Sequence, residues 1–134
     1  MINPFPELLS LSLLAPTLLR LALSIYIINL GISKIKKDSS ALGSFFESLG
    51  FKPSNLYIKS LAYIELIVGI MLFVGFLTQI AALVVAIIMF VSLIVAIRHP
   101  ETKLKGISTY ALLFIIAISL VLTGAGLIAI DLPL

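Results

Sequence analysis

Four stretches of the chain, 16–35, 57–77, 79–97 and 107–123, are almost wholly apolar. Each approaches the roughly 20 residues that cross a bilayer's hydrocarbon at 1.5 Å per residue. No other feature narrows the fold as far. A backbone in lipid has to satisfy its own hydrogen bonds, so these stretches can only be helices or a closed barrel, and their continuous apolarity suits helices. The connections are too short for a separate soluble domain, so the 134 residues are expected to form a single transmembrane domain over 1–134. Composition agrees, because only 11% of residues are charged, against about a quarter in soluble domains. The expected class is all-α, an integral membrane four-helix bundle in a lipid bilayer.

Charge supplies an orientation. Of nine Lys and Arg, eight fall around two connections: Lys34, Lys36, Lys37, Lys52 and Lys59 at the first, and Arg98, Lys103 and Lys105 at the third. With four spans these loops share a side, and the positive-inside rule makes both cytoplasmic and both termini external in a multi-pass protein of the cell membrane. The net charge of +3 is therefore a topology signal and not a nucleic-acid signal. MINPFPELLS has neither a basic start nor a small-residue cleavage site, so the first span is expected to be retained. With no cysteine, the chain cannot itself perform thiol or iron–sulfur chemistry. Its single histidine, His99, sits at a span boundary. No haem or metal is expected.

The first span carries the residues that need a reason. Arg20, Ser24, Ile27, Gly31 and Lys34 fall on one helical stripe, so one face is charged or small while the others are aliphatic. A charge near mid-bilayer costs a few kcal/mol, so that face should look inward and Arg20 should meet an acid. On the second span Ala62, Glu65, Gly69, Leu72 and Phe76 repeat the stripe, the small residues allowing close helix approach. Depths estimated from the span centres put Arg20 outward and Glu65 inward of the midplane, which leaves Arg20 shared between Glu65 and Asp131. Asn29 is a weaker candidate. Tyr63 and Tyr110 are aromatic donors that could join such a site, while Tyr26, Tyr57 and Tyr63 fit equally well as packing or interface residues.

Punctuation completes the layout. Pro16 suits either the first turn of a helix beginning near Ala15 or a kink in a longer one. In the first loop Leu42, Phe45, Phe46 and Leu49 form the apolar face of a short amphipathic helix on the cytoplasmic interface, closed by Gly50. The third span has no ionisable residue before its end, and Ala82, Ala86, Met89 and Ala96 give it a small-residue packing face. Gly75 to Gln79 is a very short turn between the second and third spans.

Taken in order, R-x-x-x-S and G-x-x-K on the first span, FFESLGFKP before the second, E-x-x-x-G at Glu65–Gly69, LTQIAA opening the third and a terminal TGAG with Asp131 resemble the DoxX family, which includes DoxD-like subunits. The resemblance covers nearly the whole chain. It departs where Ser24 replaces a common glycine, where a histidine near Asn29 or Leu30 is missing, and where Ala129-Ile130-Asp131 keeps the acid but loses a serine. It implies a four-helix membrane protein that in some relatives is a subunit of thiosulfate:quinone oxidoreductase.

The resulting expectation is a quinone-interacting or anchoring membrane subunit of an oxidoreductase, with a partner redox subunit performing the donor chemistry and assembly as a homo-oligomer also open. Glu65, Arg20 and Asp131 are the candidate catalytic residues, and Arg20, Glu65, Tyr63, Tyr110 and Lys34 the candidate quinone contacts. The rivals are a structural or assembly subunit whose charges only clamp helices, and a small proton-coupled transporter.

Overall fold

The computed structural model describes residues 7, 11–12, 14–36, 47–48, 50, 54–98, 106–124 and 126. Four helices follow one another: α1 (Leu14–Lys36), α2 (Ser54–Val74), α3 (Thr78–Arg98) and α4 (Ile107–Thr123). There is no strand among the described residues. By length and apolarity α1, α2 from Leu56 and α3 can cross a membrane. Helix α4 has 17 residues, at the lower limit of the spanning range.

The boundaries follow local chemistry. Pro16 lies in the first turn of α1, where its missing N–H removes nothing from the hydrogen-bond ladder. Helix α2 stops where Gly75 turns left-handed at φ 80°, with the N–H groups of Gly75 and Phe76 both donating to Met71 O at 2.9 Å. That places α2 about three residues earlier than the apolar run alone suggests. Leu77 also has positive φ, 47°, and its carbonyl accepts the N–H of Ala81 at 2.9 Å as α3 begins. A three-residue connection therefore turns the chain, with a leucine held where glycine is usual. At the far end Gly124, φ 81°, donates to Leu120 O and closes α4.

Of the expected first-loop helix, Glu47 and Ser48 are helical and Gly50 is left-handed with its N–H on Glu47 O. The apolar face at Leu42, Phe45, Phe46 and Leu49 lies outside the described residues.

Packing is uneven around the bundle. The most extensive interfaces are α1 with α2 and α3 with α4. Leu23, Ile27, Leu72, Val85, Met89 and Leu120 form the centre of the core, each at most 1% exposed. The outward residues are equally apolar, with Ile67, Ile115 and Leu122 well exposed, as expected of a surface that faces acyl chains. Phe90 and Phe114 meet at 5.5 Å between ring centroids across α3 and α4. A shallow groove of about 230 Å³ beside them is lined by Leu83, Ala86, Ile87, Phe90, Phe114 and Ile118. None of these side chains donates or accepts a hydrogen bond.

Two glycines set the register of α1 against α2. A methyl on Gly31 would come within 2.9 Å of Ala62 O and of Leu66 Cγ, and one on Gly69 within 2.6 Å of Ile28 Cγ1 and 3.4 Å of Ser24 O. The helices touch almost backbone to backbone at both points, the approach that small residues permit in membranes. Both contacts give the same antiparallel register, in which Glu65 is level with position 30 of α1.

Candidate functional site

The α1 stripe faces inward along its length. Thr17, Arg20, Ser24, Ile27 and Gly31 are buried, and the Lys34 side chain is 16% exposed. The hydroxyl of Ser24 donates to Leu21 O at 2.7 Å within its own helix, so it is satisfied locally. On α2 Ala62, Glu65, Gly69 and Leu72 of the matching stripe are also buried, while Phe76, past the end of the helix at Val74, is exposed.

The buried acid is engaged by the lysine. Lys34 Nζ donates to Glu65 Oε1 at 2.5 Å, and the Glu65 side chain has no exposed surface. Backbone direction explains the pairing. Side chains lean towards the N-terminus of their own helix, so Lys34, near the C-terminal end of α1, leans into the bundle. Glu65, on the antiparallel α2, leans towards the same end from the other side. The two converge although Lys34 is about one turn away from the level of Glu65. The second carboxylate oxygen, Oε2, is buried without a hydrogen-bond partner, so half of the acceptor capacity of this carboxylate is unused.

The expected sharing of Glu65 with Arg20 is not what forms. Arg20 is 2% exposed, hence inward as expected, but in the observed register it lies ten positions from the level of Glu65, roughly 15 Å along the axis. It also leans the opposite way, towards the start of α1. The bundle therefore holds two polar levels: Lys34 with Glu65 at the end carrying Lys36, Lys59 and Arg98, and Arg20 with the buried hydroxyl residues Thr17 and Thr78 towards the other end. Between them stands the apolar core. Asp131, the other expected partner of Arg20, lies outside the described residues.

The tyrosines separate as well. Tyr110 is 4% exposed on the inner face of α4, near its basic end. Tyr63 is 55% exposed on the outer face of α2, only two positions from Glu65 and so on a different side of the helix. It contacts the bundle's surroundings, not the carboxylate. Asn29 is exposed too.

Sequence reading assigned Lys34 to the site but not to Glu65, and it missed the burial of Thr17 and Thr78. The signal for the pair was present in the glycines. Matching Gly31 to Ala62 and Gly69 to Ser24, small residue against small residue, comes within two residues of the observed register and leaves Glu65 nearer to Lys34 than to Arg20. A further link went unseen at the other end, where Gln79 Nε2 donates to Val121 O at 3.0 Å and joins the start of α3 to the end of α4.

An up-and-down helical bundle, apolar outside and in, with an ion pair between its first two helices, defines a polytopic membrane protein with a charged pair among its helices. The DoxX family model matches residues 15–99, a range that contains the whole of α1, α2 and α3 apart from the first residue of α1, together with both members of the ion pair. The chain belongs to the DoxX family, a membrane family often associated with oxidoreductase-related functions. Searches of curated proteins and of solved structures each found no match.

Proposed function

We propose that this chain is a quinone-interacting membrane subunit of an oxidoreductase, similar to the membrane subunit of a thiosulfate:quinone oxidoreductase, whose partner redox subunit carries the donor chemistry. One observation carries the reading: a carboxylate within the membrane, held by a lysine through one oxygen and left with a second buried oxygen unpartnered. Buried polar groups are nearly always satisfied, and exceptions cluster at functional sites.

The residues suit a quinone. Lys34 can donate to a ring carbonyl, Oε2 of Glu65 can accept from the hydroxyl that replaces it on reduction, and Tyr110 adds a buried phenol nearer the basic end. A bound quinone would supply two-electron redox chemistry that a chain without cysteine cannot. The chain's own part is to orient the ring, exclude water and hold a proton at Glu65. Arg20, at the other level, belongs to this proposal as a second polar contact, with Asp131, outside the described residues, as its expected partner. The basic end, with Lys36, Lys59 and Arg98, is the cytoplasmic one in this reading, leaving both termini external.

A second reading has its own support. The Gly31 and Gly69 contacts lock α1 to α2, and an ion pair beside them could serve only as a clamp in a structural or assembly subunit. Binding separates the two. Titrating purified protein with a quinone analogue should give saturable binding that weakens roughly 10- to 100-fold in Glu65→Gln and in Lys34→Met, the loss of one charged hydrogen bond at about 1.5–3 kcal/mol. Equal affinity in both variants rejects the site, and absence of binding leaves the clamp. A stoichiometric partner retained in mild detergent identifies the donor subunit.

A further inference from the structure

We infer that Glu65 exchanges protons with the basic end of the bundle alone, and that Lys34 is the group that carries them. The inference deepens the reading above, in which Glu65 holds a proton for a quinone, by assigning the side from which that proton comes.

Three features of the interior lead there. Glu65 has no exposed surface, whereas Lys34, bonded to its Oε1, is 16% exposed and lies two residues from the end of α1. The only surface of the pair therefore belongs to the lysine. Towards the opposite end the path is closed by apolar side chains from all four helices: Ile27 and Leu23 on α1, Leu72 on α2, Val85 on α3 and Leu120 on α4, each at most 1% exposed. From Glu65 to Leu72 alone this layer is roughly 10 Å deep. Such packing leaves no room for water, and the buried Ser24 hydroxyl within it is spent on Leu21 O, so a proton crossing it would find no chain of donors and acceptors to follow. Helix separation does not offer another entrance, because Gly31 and Gly69 hold α1 on α2 at backbone contact on both sides of the acid.

The other ionisable groups facing the pair are few. On α1, Arg20 points inward at the far level, beyond the apolar layer. Helix α2 adds Lys59, exposed at the basic end. Helix α3 adds only Arg98, also exposed there, and α4 contributes Tyr110, buried near the level of Lys34. A guanidinium does not release its proton at accessible pH, and the Tyr110 side chain, buried among the helices, offers almost no surface to water. The lysine is thus the group able to relay.

The step balances simply. An N–H bond of the Lys34 ammonium breaks as an O–H bond forms at Oε1, giving amine and carboxylic acid. The amine then takes a proton from water at the basic end, which leaves an ammonium beside a neutral acid. Reversal releases the proton to the same side.

The test needs no quinone, so its failure is distinct from failure of quinone binding. Full-length protein is reconstituted in vesicles with its orientation fixed and the internal pH clamped. The carboxylic C=O infrared band of Glu65, assigned by its loss in Glu65→Gln, is followed after an external pH jump. The band should respond when the basic end faces the jump and stay unchanged when the other end does, until an ionophore equalises both sides. Lys34→Arg keeps the ion pair and the fold but withholds the relay, and should slow the response at least tenfold. Ile27→Asn places a polar group in the dry layer and should admit protons from the other end. A band that responds from the opposite end in the unmodified protein, that responds from both, that never responds, or that keeps its rate in Lys34→Arg overturns the inference.

Discussion

Replacing either interface glycine with alanine tests the packing that positions the ion pair, and the two sites should not rank by distance. The added methyl meets its nearest atom at 2.6 Å on Gly69 and 2.9 Å on Gly31, so clearance alone makes Gly69→Ala the worse change. The identity of the atom reverses that order. At Gly69 the closest atom is Ile28 Cγ1, a side-chain carbon at the rim of the contact, while the backbone atoms there lie at 3.3 and 3.4 Å. At Gly31 one of the two closest atoms is the carbonyl oxygen of Ala62, part of a helix, and the other is the branch carbon of Leu66. The carbonyl oxygen cannot step aside without moving α2, whereas the Leu66 side chain, like that of Ile28, can turn about χ1. Overpacking of that kind costs about 1–3 kcal/mol, against which alanine returns up to about 1 kcal/mol of helix propensity. Gly31→Ala should therefore lose about 1–2 kcal/mol and Gly69→Ala remain within about 1 kcal/mol of the parent. Reversible unfolding in mixed micelles, followed by helical circular dichroism, measures both. A larger loss at Gly69 than at Gly31 refutes the argument that backbone contact decides the cost.

The remaining predictions concern the charges, the turn and the core. Lys34→Met or Glu65→Gln alone should each destabilise the bundle, Lys34→Met by about 3–5 kcal/mol because it leaves a buried charge uncompensated, while Lys34→Met with Glu65→Leu should recover most of that; a double-mutant cycle in micelles measures the coupling, and additive losses would reject the pair as a unit. Leu77→Gly should stabilise the turn by about 1 kcal/mol, since φ of 47° suits glycine, and an unchanged midpoint in the same assay would show that the residue is unstrained. Leu120→Ala, at a fully buried position, should cost about 2–5 kcal/mol, whereas Leu122→Ala, on the exposed face, should cost much less; similar losses would mean that the two faces are misassigned.

The helices could be read from the sequence because lipid imposes length and apolarity on every span at once. Helix α4 matches its apolar run end to end, and α1 and α3 extend theirs by one or two residues. The inward faces were equally legible, since in a chain this apolar the positions of Arg20, Gly31, Lys34, Glu65 and Gly69 carry nearly all the information about which side is which. Pairing was harder. Span centres give depth only to within a turn or two, and an error of that size exchanges Lys34 for Arg20 as the neighbour of Glu65. The register is fixed by where two backbones can touch, a relation between helices that neither stripe expresses alone. Tyr63 entered only as an aromatic donor, and standing two positions from Glu65 along the helix turns its side chain through most of a half-circle away from the acid. The buried hydroxyls of Thr17 and Thr78 were within reach of the same reading, since each continues an inward stripe by one step, Thr17 three positions before Arg20 and Thr78 four before Ala82.

The turn at Gly75–Leu77 joins two pairs of helices, each of which is packed more extensively within itself than against the other. The first pair contains everything the ion pair requires, and it is complete in the nascent chain before α3 has been synthesised. Insertion can thus proceed as two successive loops, the earlier one neutralising its own charge in the lipid while the later one has still to arrive.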